Sequence, residues 1–439
     1  MNSSASTATK VRNPGPADAP ADLVAAENLG RVVNLAEAKR KYDPRLVDAV
    51  VNNMTLGDEL AYSAWNALRP LKREGHQMFS DALNDGIGSV PNAPRELTDL
   101  FAQVDDVPDW VDWKQLDRGA VAIWRAGRFV PICLGYSSIG YGFSSYGGTK
   151  ALNFTRLLID EGRAGERMAE TLRWVAAVTT PGGMRRDGEG FKYSLRVRMV
   201  HCAVRFGVSR SPKWEWNEWG LPITNTDLFF TTSKVFCANL VDALEKLGMH
   251  YSHQDKEDIF ALWRYIAYVM GVPDDLNHRD AADSIYKNEI VHTVEHAPDE
   301  ACRILLHSLI GYSTKYTDGY QPLPLWLITN MTQRQKIVMS YGLLRHLTSD
   351  AFCESMNIPD TRFKHVVKGV SKLVAAKEAI RQALPHNDER AARKTLDVVT
   401  TALAPESDEK AIAGDAEVHD AIRKNQADLE TTLTTPVKL

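Results

Sequence analysis

Apolar residues recur every three or four positions along most of this chain, and strict alternation over five or more residues is scarce, so the pattern predicts an all-α protein. Glu166 to Val178 carries apolar side chains at 168, 172, 174, 175 and 178, close to helical period, and Pro181-Gly182-Gly183 stops it. Tyr193 to Phe206 predicts the next helix, and Asp227 to Leu247 a long one capped by Gly248. Glu257 to Met270 predicts another, closed by Gly271 and Pro273. Earlier, an apolar run ends near Leu71, with Thr55 as its expected cap. Further helices fit near 280–292, 298–311, 331–347 and 360–384. Gly135 to Gly148 holds five glycines and three tyrosines and reads as an irregular loop or a glycine-loosened helix.

The two ends break this pattern. Residues 1–35 are rich in Ser, Ala, Pro and Asp and predict a mobile arm. Residues 385–439 turn polar and alanine-rich, with two candidate helices, KTLDVVTTAL and EVHDAIRKNQADLE. Between them, 36–384 shows no repeat and no Ser/Gly linker, which predicts one large helical domain with flexible polar termini.

Composition removes several classes of function. The 439 residues are 44% hydrophobic and 25% charged, ordinary for a globular protein, and the net charge of −4 offers no global attraction to nucleic acid. No stretch is apolar for long enough to predict a transmembrane helix, and no apolar segment follows Lys10 and Arg12 to make a secretory signal. The five cysteines are widely spaced with no C-x-x-C, so the expectation is buried free thiols in a reducing, cytoplasmic compartment.

Chemistry concentrates in LRVRMVHCAVRF. Arg198, His201 and Arg205 stand at i, i+3 and i+7, which puts them on one helix face among apolar neighbours. Two guanidiniums near a core each need an anionic partner. Either they reach Asp or Glu elsewhere around a core histidine, or the face holds a haem, whose iron takes a neutral imidazole and whose propionates take arginine forks. Upstream, Arg167, Glu170 and Thr171 share a face at i, i+3 and i+4. They make either a solvated ion pair or an acid, a base and a hydroxyl at one side of a pocket.

R-x-x-E-T followed after about thirty residues by R-x-x-H-x-x-V-R resembles the latex-clearing-protein (rubber oxygenase) family, which includes fungal oxygenases that cleave the prenyl chain in mycophenolate synthesis. The resemblance continues through Trp219-Gly220-Leu221-Pro222-Ile223-Thr224-Asn225, Leu262-Trp263-Arg264-Tyr265 and Gly271-Val272, over roughly residues 50 to 350. It implies an all-α, globin-like core holding one haem b, with His201 as the axial ligand of the iron. It further implies that Arg198 and Arg205 flank the cofactor, and that Arg167 and Thr171 lie on the distal side. The activity implied is oxidative cleavage of carbon–carbon double bonds with dioxygen. The rubber-cleaving members carry a lysine beside the threonine, where this chain has Glu170, a carboxylate that cannot act as a neutral amine ligand. Those members also bear export signals. The departure at position 170 leaves two possibilities, a water-bound iron or Glu170 acting as a base, and the expected substrate here is a small apolar isoprenoid, polyene or lipid rather than rubber.

Two other readings compete. His292 and His296 in VHTVEH stand at i and i+4 and could hold a non-haem metal with Glu289 or Glu295. Alternatively, a non-catalytic haem or lipid carrier would keep the fold, as Glu170 in the lysine position allows. No P-loop and no G-x-S-x-G elbow is present.

Overall fold

The computed structural model describes residues 19–20, 22–155, 164–316, 331–384 and 387–402. It is all-helical as expected, and among the described residues the only β feature is an isolated bridge between Val32 and Glu295. The first helices are α1 (Leu35–Lys41), α2 (Pro44–Asn52), α3 (Glu59–Leu68), α4 (Arg73–Asp85), α5 (Arg95–Asp105) and α6 (Trp113–Trp124). The cap of α3 is Asp58, whose Oδ1 accepts from Ala61 N at 3.1 Å, and not Thr55, whose hydroxyl donates to Asn52 O at 2.9 Å. A carboxylate directly before the first turn outcompetes a hydroxyl three residues further out.

The glycine-rich stretch is the loosened helix of the two alternatives. Phe129–Cys133, Leu134–Ile139 and Gly140–Gly142 run on as α7, with a π-helical middle, and α8 follows over Tyr146–Thr155. Next come α9 (Ala164–Val178) and α10 (Glu189–Ser209). The long helix α11 is continuous through Asn225–Phe229, a π-helical Phe230–Ala238 and Asn239–Lys246. It starts with a capping box between Thr224 and Asp227 and ends at Gly248, whose φ of 102° only glycine adopts freely. Then come α12 (His253–Val269), α13 (Ala281–Val294), α14 (Glu300–Tyr316), α15 (Gln333–Leu347), α16 (Phe363–Ala383) and α17 (Asp388–Ala402).

One continuous core joins these helices. At its centre α6 crosses α12 so closely that a Cβ on Gly119 would lie 2.3 Å from Asp258 O. The α17 helix, part of the polar tail, packs on α6 and buries Ala392, Leu396 and Val399. The second tail segment, 417–430, lies outside the described residues.

The mobile arm expected over 1–35 is corrected for residues 22–34. Arg31 is 1% exposed, and its guanidinium lies 2.6 Å from both Asp227 Oδ1 and Glu295 Oε1. A polar composition hides this anchor because the one arginine that fixes the segment finds both partners far along the chain. Among the described residues no helix is long and apolar enough to cross a membrane.

Candidate functional site

The two motif helices, α9 and α10, form an antiparallel hairpin. Gly182, with φ of 78°, and the bonds from Gly183 N to Thr180 O and Gly188 N to Arg185 O, both 2.8 Å, fold the turn. The helices then meet without side chains between them, since a Cβ on Gly190 would sit 2.6 Å from Ala177 O and 2.7 Å from Val178 Cα. Gly190→Val is accordingly expected to destabilise the protein by about 1–3 kcal/mol, read from urea unfolding, because backbone rather than a flexible side chain blocks the new atoms. A change under about 0.5 kcal/mol would show that the crossing is looser than described.

Further from the turn, Trp174 Nε1 donates to Ser194 Oγ at 3.1 Å. Steps back along α9 match steps forward along α10, so the backbone of Arg167 comes level with His201. By helical period Glu170 and Thr171 fall on the same side of α9 as Trp174, the side that Trp174 turns toward α10. Glu170 and Thr171 are partly buried, and the side chain of Arg167 lies outside the described residues. At this level α10 presents Tyr193, Val197, His201 and Val204, all partly accessible, whereas Leu195, Met199, Cys202 and Ala203 are buried on its other sides. Met168 and Leu172 of α9 are partly accessible as well. The hairpin is thus sealed at its turn and keeps accessible side chains toward its open end.

His201 is the chemically unusual group of this region. Its Nδ1 is buried and has no hydrogen-bond partner. Burial first, and then the Arg205 guanidinium, push its pKa down to about 4, with Arg198 acting in the same sense and Asp58 against. The imidazole is therefore neutral at pH 7, the form in which a ring nitrogen donates a lone pair to a metal.

The arginines beside it are placed differently from the expectation that they clasp propionates. Arg198 is 2% exposed and forks onto Asp58, Nε to Oδ2 at 2.7 Å and Nη2 to Oδ1 at 2.8 Å. Its Nη1 donates to Val269 O at 2.9 Å and Gln103 Oε1 at 3.1 Å. Arg205 is also buried, and donates to Pro222 O at 3.1 Å and Ile223 O at 2.6 Å. Both guanidiniums thus have protein partners, a carboxylate for Arg198 and two backbone carbonyls for Arg205, and both charges act to lower the pKa of His201. Asp58 is the residue that motif spacing missed, and only its helix-capping position could have drawn notice to it.

The His292/His296 pair does not assemble. The α13 helix ends at Val294, so the i, i+4 geometry is lost before His296. His292 Nε2 bonds Tyr141 Oη at 2.9 Å, whereas His296 Nδ1 lies 2.8 Å from Ala297 O, and Glu295 is taken by Arg31. Among the described residues no group of three or more His, Cys, Asp or Glu side chains could hold a metal.

Low pKa values in the interior make stability depend on pH. His278, fully buried, and His201 both lie near 4, below the ordinary histidine value of about 6.5. Each is unprotonated in the native state and protonated in the unfolded chain between those limits. Their contribution is complete above about pH 6.5 and is lost as pH falls toward 4. Urea midpoints of the protein without porphyrin should fall over this window, and His201→Leu should flatten the slope. Identical slopes for the two proteins would contradict a neutral His201 with a buried ring nitrogen.

Residues 158–377 match the family model for the ER-bound oxygenase mpaB/B'/Rubber oxygenase catalytic domain, half of the chain. The chain belongs to this oxygenase family. The rubber oxygenase of Streptomyces sp. (strain K30) is 24% identical over 243 residues, which cover 52% of this chain and 59% of that protein, so the match spans about three fifths of the curated relative's length. The structure of latex clearing protein LCP in the closed state superposes with a TM-score of 0.60 over 78% of this chain and 91% of that one, at 18% identity. At that identity the likeness establishes the shared helical fold, and the family match takes in Glu170, Thr171, Arg198, His201 and Arg205.

Proposed function

We propose that this oxygenase-family chain is a haem-b-dependent enzyme that uses dioxygen on an apolar isoprenoid, polyene or lipid-like molecule, cleaving or otherwise oxygenating its carbon–carbon double bonds. The observation that carries the reading is His201: a neutral imidazole with a buried, unpartnered ring nitrogen, on a helix face that stays accessible opposite α9. His201 fits a haem iron, because a histidine ligand must be unprotonated and have a ring nitrogen without another partner. His201 would hold the iron, and the bound haem would supply the capacity to react dioxygen with a double bond.

The protein's own part follows from position and charge. Asp58 and Arg198 clamp α10 one turn before His201, and Arg205 ties it to the 222–223 segment one turn after. This double tether fixes where the imidazole points. On the facing helix Thr171 and Arg167 would donate hydrogen bonds to oxygen atoms that gather negative charge. Glu170 would accept an allylic proton from the substrate or relay it. Met168, Leu172, Val197 and Val204, partly accessible on the two helices, would contribute apolar surface for the substrate. We take the compartment to be cytoplasmic, since all five cysteines are buried and unpaired.

Oxygen uptake tests the reading against a carrier of the same fold. Haem-loaded protein given a soluble polyene should consume dioxygen and yield carbonyl products detectable by mass spectrometry. Glu170→Gln should slow turnover by about 10²-fold or more without loss of haem. A red-brown protein with no uptake on any polyene or isoprenoid would make it a carrier.

A further inference from the structure

The π-helical middle of α11 presents two faces. Phe236 packs on Trp174 of α9, with ring centroids 5.5 Å apart. Lys234, two residues earlier, is carried to the opposite side of the helix and away from the α9–α10 hairpin. There its Nζ lies 5.7 Å from the centre of the Tyr141 ring. Tyr141 Oη bonds His292 Nε2 at 2.9 Å, so polar side chains from α7, α11 and α13 meet around the Tyr141 ring. Aromatic rings enclose them: Phe352 stacks on Tyr141 at 5.1 Å, and Phe230 stands 5.3 Å from His292.

The charge of this cluster is not balanced. Among the described residues Lys234 has no hydrogen-bond acceptor and no ion-pair partner. Asp242 and Glu289 act on it electrostatically, but neither is within ion-pairing distance, and Asp242 is engaged by Lys246 at 2.8 Å. The ammonium is half-buried, and burial moves its pKa down. Burial, aided by the Lys234 charge, holds His292 near 4, so the histidine is neutral and adds no second cation. A half-buried cation without a counter-ion costs folding free energy, and structures retain such groups where a ligand supplies the opposite charge. π-helical segments also recur at functional sites.

We propose that Lys234, Tyr141 and His292 form a second binding site, which takes the carboxylate of an organic acid with an apolar body. The ammonium supplies the charge, and the hydrogen-bonded phenol–imidazole pair, which uses one of its two protons internally, supplies one directed hydrogen bond. Phe230 and Phe352 supply the apolar contact that distinguishes such an acid from a small inorganic anion. The site stands on its own geometry and does not depend on what His201 holds.

Octanoate is the probe, measured by titration calorimetry on the full chain, with acetate and 1-octanol as controls. Octanoate should bind at least about tenfold more tightly than either control, since each control lacks one half of the recognition. Lys234→Met should weaken octanoate by about tenfold or more, while Lys234→Arg, which keeps the charge, stays within about threefold. Lys234→Met should also raise the melting temperature of the ligand-free protein, because it removes the unpaired cation. That second reading separates loss of the site from loss of the fold. Equal binding of octanoate and octanol, unchanged binding in Lys234→Met, or loss of octanoate binding in His201→Ala would each overturn the proposal.

Discussion

Asp58→Ala is expected to destabilise the protein by about 3–5 kcal/mol, because it leaves the Arg198 guanidinium in the interior without its counter-ion. Arg198 and Asp58 are 2% and 7% exposed, so water cannot screen or replace the lost partner. Gln103 Oε1 and Val269 O would still accept from Nη1, but they are neutral and leave the fork toward residue 58 empty. The same substitution removes the cap of α3, worth about 1 kcal/mol more. Removing both charges together avoids the stranded cation, so Asp58→Ala/Arg198→Met should lie closer to wild type than Asp58→Ala alone. Denaturant unfolding with all three variants measures the coupling. A loss below about 1 kcal/mol for Asp58→Ala would mean that the pair is solvated and does not anchor α10.

This pair also shows where sequence reading stops. The helices around the site were legible because their apolar positions repeat locally: Ala164–Val178 and Glu189–Ser209 contain the segments that periodicity predicts. The grouping of Arg198, His201 and Arg205 on one face follows from spacing alone. What each arginine binds does not. Asp58 lies 140 positions from Arg198, and nothing in a helical repeat selects it from the other acids. Arg31 makes the same point more sharply, since its partners lie 196 and 264 positions away and turn a polar leader into part of the core. The VHTVEH spacing misled for a different reason, namely that α13 ends at Val294, before the second histidine, and periodicity places helix ends poorly. That Glu170 and Thr171 share a side of α9 follows from spacing, whereas the buried, unpartnered Nδ1 of His201 depends on packing, which no spacing reports.

The largest functional effect is expected at His201, the side chain proposed to hold the porphyrin iron. His201 is the one histidine of α10, and guanidiniums stay protonated and do not ligate iron, so no other side chain of this helix offers an imidazole nitrogen. His307, on α14, carries no such role and makes a control for the loss of any histidine. Haem titrated into the haem-free protein and followed by absorption should give a sharp Soret band for wild type and for His307→Ala. The band should vanish in His201→Ala and return when free imidazole is added to occupy the vacated space. An equal band in His201→Ala, or none in wild type with haem in excess, would contradict the account.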